Sequence, residues 1–397
     1  MNSTPGLTDA LLARLRAQAA QPVERAESLP PEFFWRPEIY ELELERIFRR
    51  DWMSVGRVDQ VRDPGDWLKV DLVGEPIVVI RDEAGRLRAL SRVCRHRAMD
   101  LLFEVDAARG NAARLECPYH LWSYGLDGHL TGAPEMRGAQ GFDRKACRLP
   151  EYRLEVWQGY IFVCLDPAAE PLAPRLSEIE KFLGSIDMSD WKVAGTVPWG
   201  EVAVNWKVAI ENAAECYHHM GTHRGTLQPF WPANRVVIDE TSSRDFIVGR
   251  MRVSPEAAAG EENGFPIQPT FLPSIPGLTP EQRSQTLLAG VFPMFFLAVG
   301  PDSATWFDWH PTGPESHRVD IHVVVPPESL EAPGFAEALA AQLDAVRGIQ
   351  AEDARTNAGV QRGLRSRSAA PGRLSLLERP LWQFQNYLAH RLTDSEE

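Results

Sequence analysis

The spacing of apolar positions changes along the chain, and the changes divide it. Leu7, Leu11, Leu12, Leu15 and Ala19 fall on one helical stripe, which Pro30 and Pro31 end. Residues 39–48 give a second short helix. From Trp52 onward the apolar residues come in short runs, at 52–58, 67–73, 76–80 and 87–90, with a turn at Asp82–Gly85 before the last. Short runs with turn signals between them predict a small all-β domain. The run from Glu155 to Leu165, rich in Val, Ile, Phe and Tyr, closes it.

A Pro-rich stretch, residues 166–174, reads as a linker. Beyond it, strand-like runs at 192–197, 202–204, 235–238, 246–250, 292–299, 305–310 and 318–325 alternate with less regular chain. Residues 333–364 and 375–392 carry helical patterns. An antiparallel sheet flanked by helices follows from such an order. The expectation is an α+β protein: an N-terminal arm at 1–45, an all-β domain at 46–166 and a larger domain at 167–397. Residues 255–280 are dense in Pro and Gly without a period, and suggest a lid over a site.

Composition narrows the class. The chain has 397 residues, 44% hydrophobic and 24% charged, as a soluble globular protein has. No apolar run reaches the length of a membrane span, and the first residues lack a signal pattern, so the cytoplasm is the expected location. A net charge of −13 argues against nucleic acid or an anionic membrane as partner. Five cysteines in so long a chain do not form a disulfide framework; Cys147, Cys164 and Cys216 read as buried free thiols.

Cys94 and Cys117 read differently. CRHR at 94–97 and CPYHLWSYGLDG at 117–128 each offer one thiolate and one imidazole: Cys94 with His96, and Cys117 with His120. Such mixed ligation suits tetrahedral zinc or a Rieske [2Fe–2S] cluster, with two Cys on one iron and two His on the other. Zinc-finger spacings leave at least two residues between the first ligand pair, and Cys94–His96 leaves one. The second loop resembles the second cluster loop of Rieske proteins almost residue for residue. The spacer between the loops is long, and the excess near Ala107–Ala113 reads as a loop insertion.

A second constellation lies at 205–223, NWKVAIENAAECYHHMGTH. Asn205 is placed to cap a helix starting at Trp206, with Glu215 and His218 on one face. His218 and His223 are about 140° apart on an ideal helix, too far to share a metal unless the helix loosens or ends near Gly221. Two histidines need a third ligand, and a 2-His-1-carboxylate set binds non-haem Fe(II) with open positions. The helical stretch before QRGLRS offers Glu352 and Asp353, which cannot both point at one face.

Together CRHR…CPYHLWSYGLDG, NWK…ENxxECYHHxxTH, QRGLRS and PGRLSLLERPLWQFQNYL resemble a Rieske non-haem iron oxygenase, the α subunit of aromatic-ring-hydroxylating type, from Trp35 to Leu388. The resemblance implies a Rieske domain joined to a catalytic domain of helix-grip type. It implies a [2Fe–2S] cluster on Cys94, His96, Cys117 and His120, and mononuclear Fe(II) on His218, His223 and Asp353, the acid nearer QRGL. It implies a terminal oxygenase that uses O₂ and electrons from NAD(P)H, delivered by a separate reductase or ferredoxin, to hydroxylate a small organic substrate. No Gly-rich dinucleotide fingerprint is present in the chain itself. It also implies a homotrimer in which His120 of one subunit meets Glu215 of the next, so that Glu215 relays electrons. Most members carry Asp at that position. Glu recurs in the branch resembling carnitine, glycine-betaine and stachydrine oxygenases, which points to an N-methyl or quaternary-ammonium substrate and to demethylation. The competing readings are an aromatic-ring cis-dihydroxylating dioxygenase, a Rieske electron-transfer protein without oxygenase activity, and a zinc protein. Phe292, Phe295, Trp306, Phe307 and Trp309 are the candidate pocket aromatics.

Overall fold

The computed structural model describes residues 6–393. They form two compact units. One is Arg49–Ala173; the other joins the chain up to Phe48 to the chain from Pro174 onward. No helix among the described residues is long and apolar enough to cross a membrane.

The smaller unit is all β. Seven strands pair in the order Met53–Arg57, Tyr160–Cys164, Glu151–Trp157, Leu87–Ser91, Glu75–Arg81, Asp66–Leu72, Arg109–Asn111. A three-stranded sheet, Leu115–Glu116, Ser123–Tyr124 and Leu130–Gly132, carries the second Cys/His loop. The expected loop insertion is instead the edge strand Arg109–Asn111, paired to Asp66–Leu68. Trp67 explains it: the indole lies so close over Gly110 that a Cβ there would sit 2.5 Å from Cζ2. The expected linker also belongs to this unit. Trp52 Nε1 donates to the Glu170 carbonyl at 2.9 Å, and Leu172 N donates to Glu155 Oε2 at 2.9 Å.

The larger unit is built on a seven-stranded antiparallel sheet. Its order is Lys192–Val202, Ser316–Val325, Ala304–Gly313, Phe295–Val299, Gln285–Val291, Phe246–Arg252, Val236–Ile238. The long helix Phe335–Leu364 lies on one face, with Leu339 and Leu343 packed onto Val323 and Val325. Gly195 permits that approach, since a Cβ would stand 2.8 Å from Leu343 Cδ1. The expected separate arm at 1–45 is part of this unit. The apolar stripe of Leu7–Ala19 needs a partner, and it packs on the C-terminal helix Arg379–Thr393 with Leu11 and Leu15 buried. Inside, Lys207 Nζ pairs with Glu43 Oε1 at 2.6 Å, both side chains fully buried. The stretch 255–280 contains a small hairpin, Gly260–Glu262 with Phe265–Ile267, and then Gln268 to Phe271 form one wall of a cavity.

Candidate metal centres

The two Cys/His loops share one backbone pattern despite their different spacings. Ala98 N donates to the Cys94 carbonyl at 3.0 Å, and Leu121 N to the Cys117 carbonyl at 2.9 Å. Cys94 N and Cys117 N donate in turn to the carbonyls of Met99 and Trp122. Closing each loop so tightly puts Ala98 and Leu121 in the left-handed region, at φ 57° and 60°, a conformation that costs a non-glycine residue roughly 1–2 kcal/mol.

The loops bring the four side chains together. Both cysteines are buried. The His96 and His120 rings lie 4.6 Å apart, and Trp122 stacks on His96 at 4.7 Å. Burial, reinforced by the thiol of Cys94, pushes the Cys117 thiol up, although the backbone N–H groups of Tyr119 and His120 favour its thiolate. Tyr124 adds a contact the sequence did not single out: its hydroxyl lies 3.3 Å from Cys94 Sγ and accepts from Arg95 N at 3.0 Å. His120 Nδ1 is buried without a hydrogen-bond partner. Two thiols, two imidazoles and an orphaned ring nitrogen are a donor set that fits a Rieske cluster.

The second centre starts at a helix end. Asn205 caps Trp206–Ala214, its side chain accepting from Lys207 N at 2.8 Å. Gln361, from QRGLRS, accepts from Asn205 N at 2.9 Å and so ties the helix to Phe335–Leu364. The helix was expected to run to the region of Gly221. It ends at Ala214, and Glu215 is already extended at φ −124°, ψ 154°. A 3₁₀ turn, Tyr217–Met220, carries His218. Glu215 and His218 therefore do not share a helix face. The break is what lets His218 and His223 approach, their ring centroids 5.0 Å apart.

Each imidazole gives its Nδ1 side to a glutamate. His218 Nδ1 is 2.8 Å from Glu215 Oε1, and Glu215 Oε2 also accepts from His218 N at 3.0 Å. His223 Nδ1 is 2.7 Å from Glu352 Oε2, which also accepts from Thr226 Oγ1 at 2.7 Å. Both Nε2 atoms then face Asp353 Oδ1, at 3.7 Å from His218 and 2.9 Å from His223. His223 Nε2 and Asp353 Oδ1 are buried and in no hydrogen bond. One ligand atom from each of His218, His223 and Asp353 lies within 4.8 Å of the others. Two ring nitrogens and a carboxylate oxygen turned toward one point suit a divalent ion of the facial-triad type. The sequence offered Glu352 and Asp353 as alternatives; the fold uses both, one on each side of the His223 ring.

Burial lowers the pKa of His223, but Asp353 and Glu352 outweigh it and raise the ring above its ordinary value. Next to it His219 donates to the Trp231 carbonyl at 3.0 Å and is pushed down to about 4, chiefly by burial. It lines the cavity beside His218 and His223. Of the five candidate aromatics, Phe307 and Trp309 line the cavity, joined by Phe296. Phe292, Phe295 and Trp306 do not. Phe295 pairs with Asp308 and Trp306 with His322, which puts them on the opposite face of the sheet.

Residues 187–394 match the family model described as the ring hydroxylating alpha subunit (catalytic domain), and residues 51–153 match the Rieske [2Fe-2S] domain. The chain is 34% identical over 230 residues to the glycine betaine monooxygenase oxygenase subunit of Pseudomonas aeruginosa, which covers 57% of this chain and 52% of that protein. It thus spans about half the length of these curated relatives. It is 28% identical over 395 residues to the chloroplastic choline monooxygenase of Arabidopsis thaliana, covering 94% of this chain and 84% of that one. A solved quaternary ammonium Rieske monooxygenase superposes at TM-score 0.78 and 23% identity, over 95% of this chain and 98% of the other. Naphthalene 1,2-dioxygenase from Rhodococcus sp. superposes at TM-score 0.79 and 22% identity, over 96% and 97%. At these identities the structural likeness is one of fold: a Rieske domain and an α+β catalytic domain.

Proposed function

The chain belongs to the ring hydroxylating alpha subunit family, and from that premise we propose that it is the terminal oxygenase of a Rieske system. It uses O₂ and electrons from NAD(P)H, passed by a separate reductase or ferredoxin, to hydroxylate a small substrate bearing an N-methyl or quaternary-ammonium group, which leads to demethylation. The observation that carries the reading is the pair of imidazoles, each held through Nδ1 by a glutamate, with both Nε2 atoms turned to Asp353.

In this reading Cys94, His96, Cys117 and His120 hold the cluster and His218, His223 and Asp353 hold ferrous iron. When bound, the cluster would supply single electrons and the iron would supply O₂ activation. The chain's own residues do the rest. Glu215 and Glu352 fix the tautomer of each ring, so that Nε2 keeps its lone pair for the metal. The aromatic wall of Phe296, Phe307 and Trp309 holds the substrate and keeps water from it. Glutamate rather than aspartate at position 215, together with relatives named for glycine betaine and choline, favours the N-methyl substrate over ring cis-dihydroxylation.

The test is oxygen uptake with a surrogate reductase over N-methyl amines, betaines and aromatic acids. Uptake with a hydroxylated or demethylated product is expected. None across the panel, from protein loaded with both metal centres, refutes the proposal. A homotrimer with electron transfer between subunits completes the reading. One solved relative is described in terms of inter-subunit electron transfer, and here Tyr217 and Met220, beside His218, are exposed apolar side chains of the kind a neighbour covers. Cys94→Ala and His218→Ala chains, each inactive alone, should regain activity when co-expressed as mixed rings. Mixed rings without turnover refute the inter-subunit path.

A further inference from the structure

The cavity beside His218, His223 and Asp353 has a volume of about 260 Å³. Two elements bound it lengthwise. The helix Phe335–Leu364 contributes Gln342, Ile349 and Asp353, and the strand Ala304–Gly313 contributes Thr305, Phe307 and Trp309. They are pinned together at one end, where Gln342 Nε2 donates to Ser303 Oγ at 2.7 Å. From Gln342 to Asp353 the helix advances about 16 Å. From Ser303 to Trp309 the chain advances about 20 Å. Helix and strand run the same way, since Leu343 meets Gly195 and Gln361 meets Asn205, while Gly195 lies level with Thr305 and Val202 with Pro311 across the shared strand Ser316–Val325; the cavity lining is therefore elongated. Asp353 and the rings of Phe307 and Trp309 lie toward one end, Gln342 and Ser303 at the other.

The two ends differ in chemistry. Phe307 and Trp309 stack at 5.0 Å with 22° between their planes, and Phe296 stands 6.0 Å from Phe307. Such ring faces attract an alkylammonium. At the far end Gln342 is 8% exposed, and its Oε1 is buried with no hydrogen-bond partner. A ligand hydroxyl or N–H would satisfy that orphaned acceptor. Charge on the wall is one-sided. The lining holds Glu215, Asp302 and Asp353 but no lysine or arginine. Its histidines outside the ligand set are His219 and His317, and their Nδ1 atoms are engaged by the carbonyls of Trp231 and Val204. A ligand carboxylate entering here would lose its hydration and meet no side-chain cation.

We infer that the cavity selects an elongated alkylammonium, with its N-methyl end against Phe307 and Trp309 and an uncharged hydrogen-bond donor at its far end for Gln342, and that it rejects molecules of the same length ending in a carboxylate. The inference rests on the proposed oxygenase reading for the reaction, and on the cavity alone for binding. It separates this chain from relatives named for glycine betaine and carnitine, whose named compounds both end in a carboxylate.

The test is calorimetric binding to the full, anaerobic holoprotein. The probes are choline, hydroxyhexyl-trimethylammonium, carboxypentyl-trimethylammonium and the uncharged tert-butyl analogue of the hydroxyhexyl cation. The long hydroxy cation should bind at least about tenfold more tightly than the carboxylate and the uncharged analogue, since each loses one favourable term. Gln342→Leu should erase its advantage over choline. Equal or tighter binding of the carboxylate overturns the inference, as does failure of the long cation to bind; neither result depends on a variant folding. Iron content and cluster absorption, read on the same protein, decide the oxygenase proposal separately: a protein that holds neither centre sinks that proposal even if the cation binds selectively.

Discussion

Replacing Glu352 with alanine tests the proposed iron site from just outside its three proposed ligands. Glu352 Oε2 accepts from His223 Nδ1 and from Thr226 Oγ1, both at 2.7 Å, and the His223 side chain is 1% exposed. Without the carboxylate, a buried Nδ1–H loses its acceptor. The ring is then free to carry its proton on Nε2, the atom that faces Asp353, and a protonated nitrogen cannot ligate. Losing an outer partner of this kind typically costs 10–100-fold in metal affinity, or about 1.4–2.7 kcal/mol. The assay is anaerobic titration of the iron-free site with Fe(II) against a competing chelator, with cluster absorbance as a control that the smaller unit is intact. Glu352→Gln, which keeps an acceptor but not the charge, should fall between wild type and Glu352→Ala. Asp353→Ala should remove the mononuclear iron outright. The reasoning fails if Glu352→Ala binds iron as wild type does. It fails differently if Glu352→Ala loses the iron while Asp353→Ala keeps it, because the two acids would then have exchanged roles.

Three further outcomes follow from the same physics. Glu43→Ala should cost about 3–5 kcal/mol in chemical denaturation, because Lys207 is left buried and unpaired, and Glu43→Leu combined with Lys207→Met should recover most of it; a single variant as stable as wild type refutes this. Tyr124→Phe should lower the cluster's reduction potential in a redox titration, since the hydroxyl 3.3 Å from Cys94 Sγ favours the more negative, reduced state; an unchanged or higher potential counts against it. Burial pushes the Glu211 carboxyl up to about 8 from 4.5, so the folded chain keeps a proton that the unfolded chain gives up, and stability should fall as pH rises from about 4.5 through about 8. Glu211→Gln should flatten that slope, and identical pH profiles for the two proteins would refute the assignment.

What the sequence made legible was chemistry that few residue types can do. Thiolates and imidazoles in paired loops, and two histidines near an acid, stand out because the alternatives are few. The fold then gathers His218, His223 and Asp353 around one point. Packing was less legible. A helical period could be read through Glu215, but nothing in the period says that the chain leaves the helix at Ala214. The aromatic runs at 292–299 and 305–310 were visible as strands. Which alternate members face the cavity depends on a one-residue register, and that register is set by neighbours far away in sequence: Phe307 lies opposite Phe296 and Ile321, and Trp306 opposite Leu297 and His322. The edge strand at Arg109–Asn111 escaped for a similar reason, since its partner is the distant Trp67.

The adjacent pair Glu352–Asp353 shows where a sequence reading could have gone further. On a helix, neighbours point about 100° apart, so they cannot both ligate one ion. They can flank one imidazole, and here they do: Glu352 at Nδ1 and Asp353 at Nε2 of His223. Glu215 repeats the first role on His218 from an unrelated stretch of chain. The three carboxylates thus divide by which ring nitrogen they face. An acid at Nδ1 fixes the proton there and leaves Nε2 a lone pair; an acid facing Nε2 shares that lone pair's target and is itself a ligand candidate. An acidic dipeptide whose helix packs beside a His-x4-His segment is therefore better read as one outer and one inner carboxylate than as a choice between two ligands.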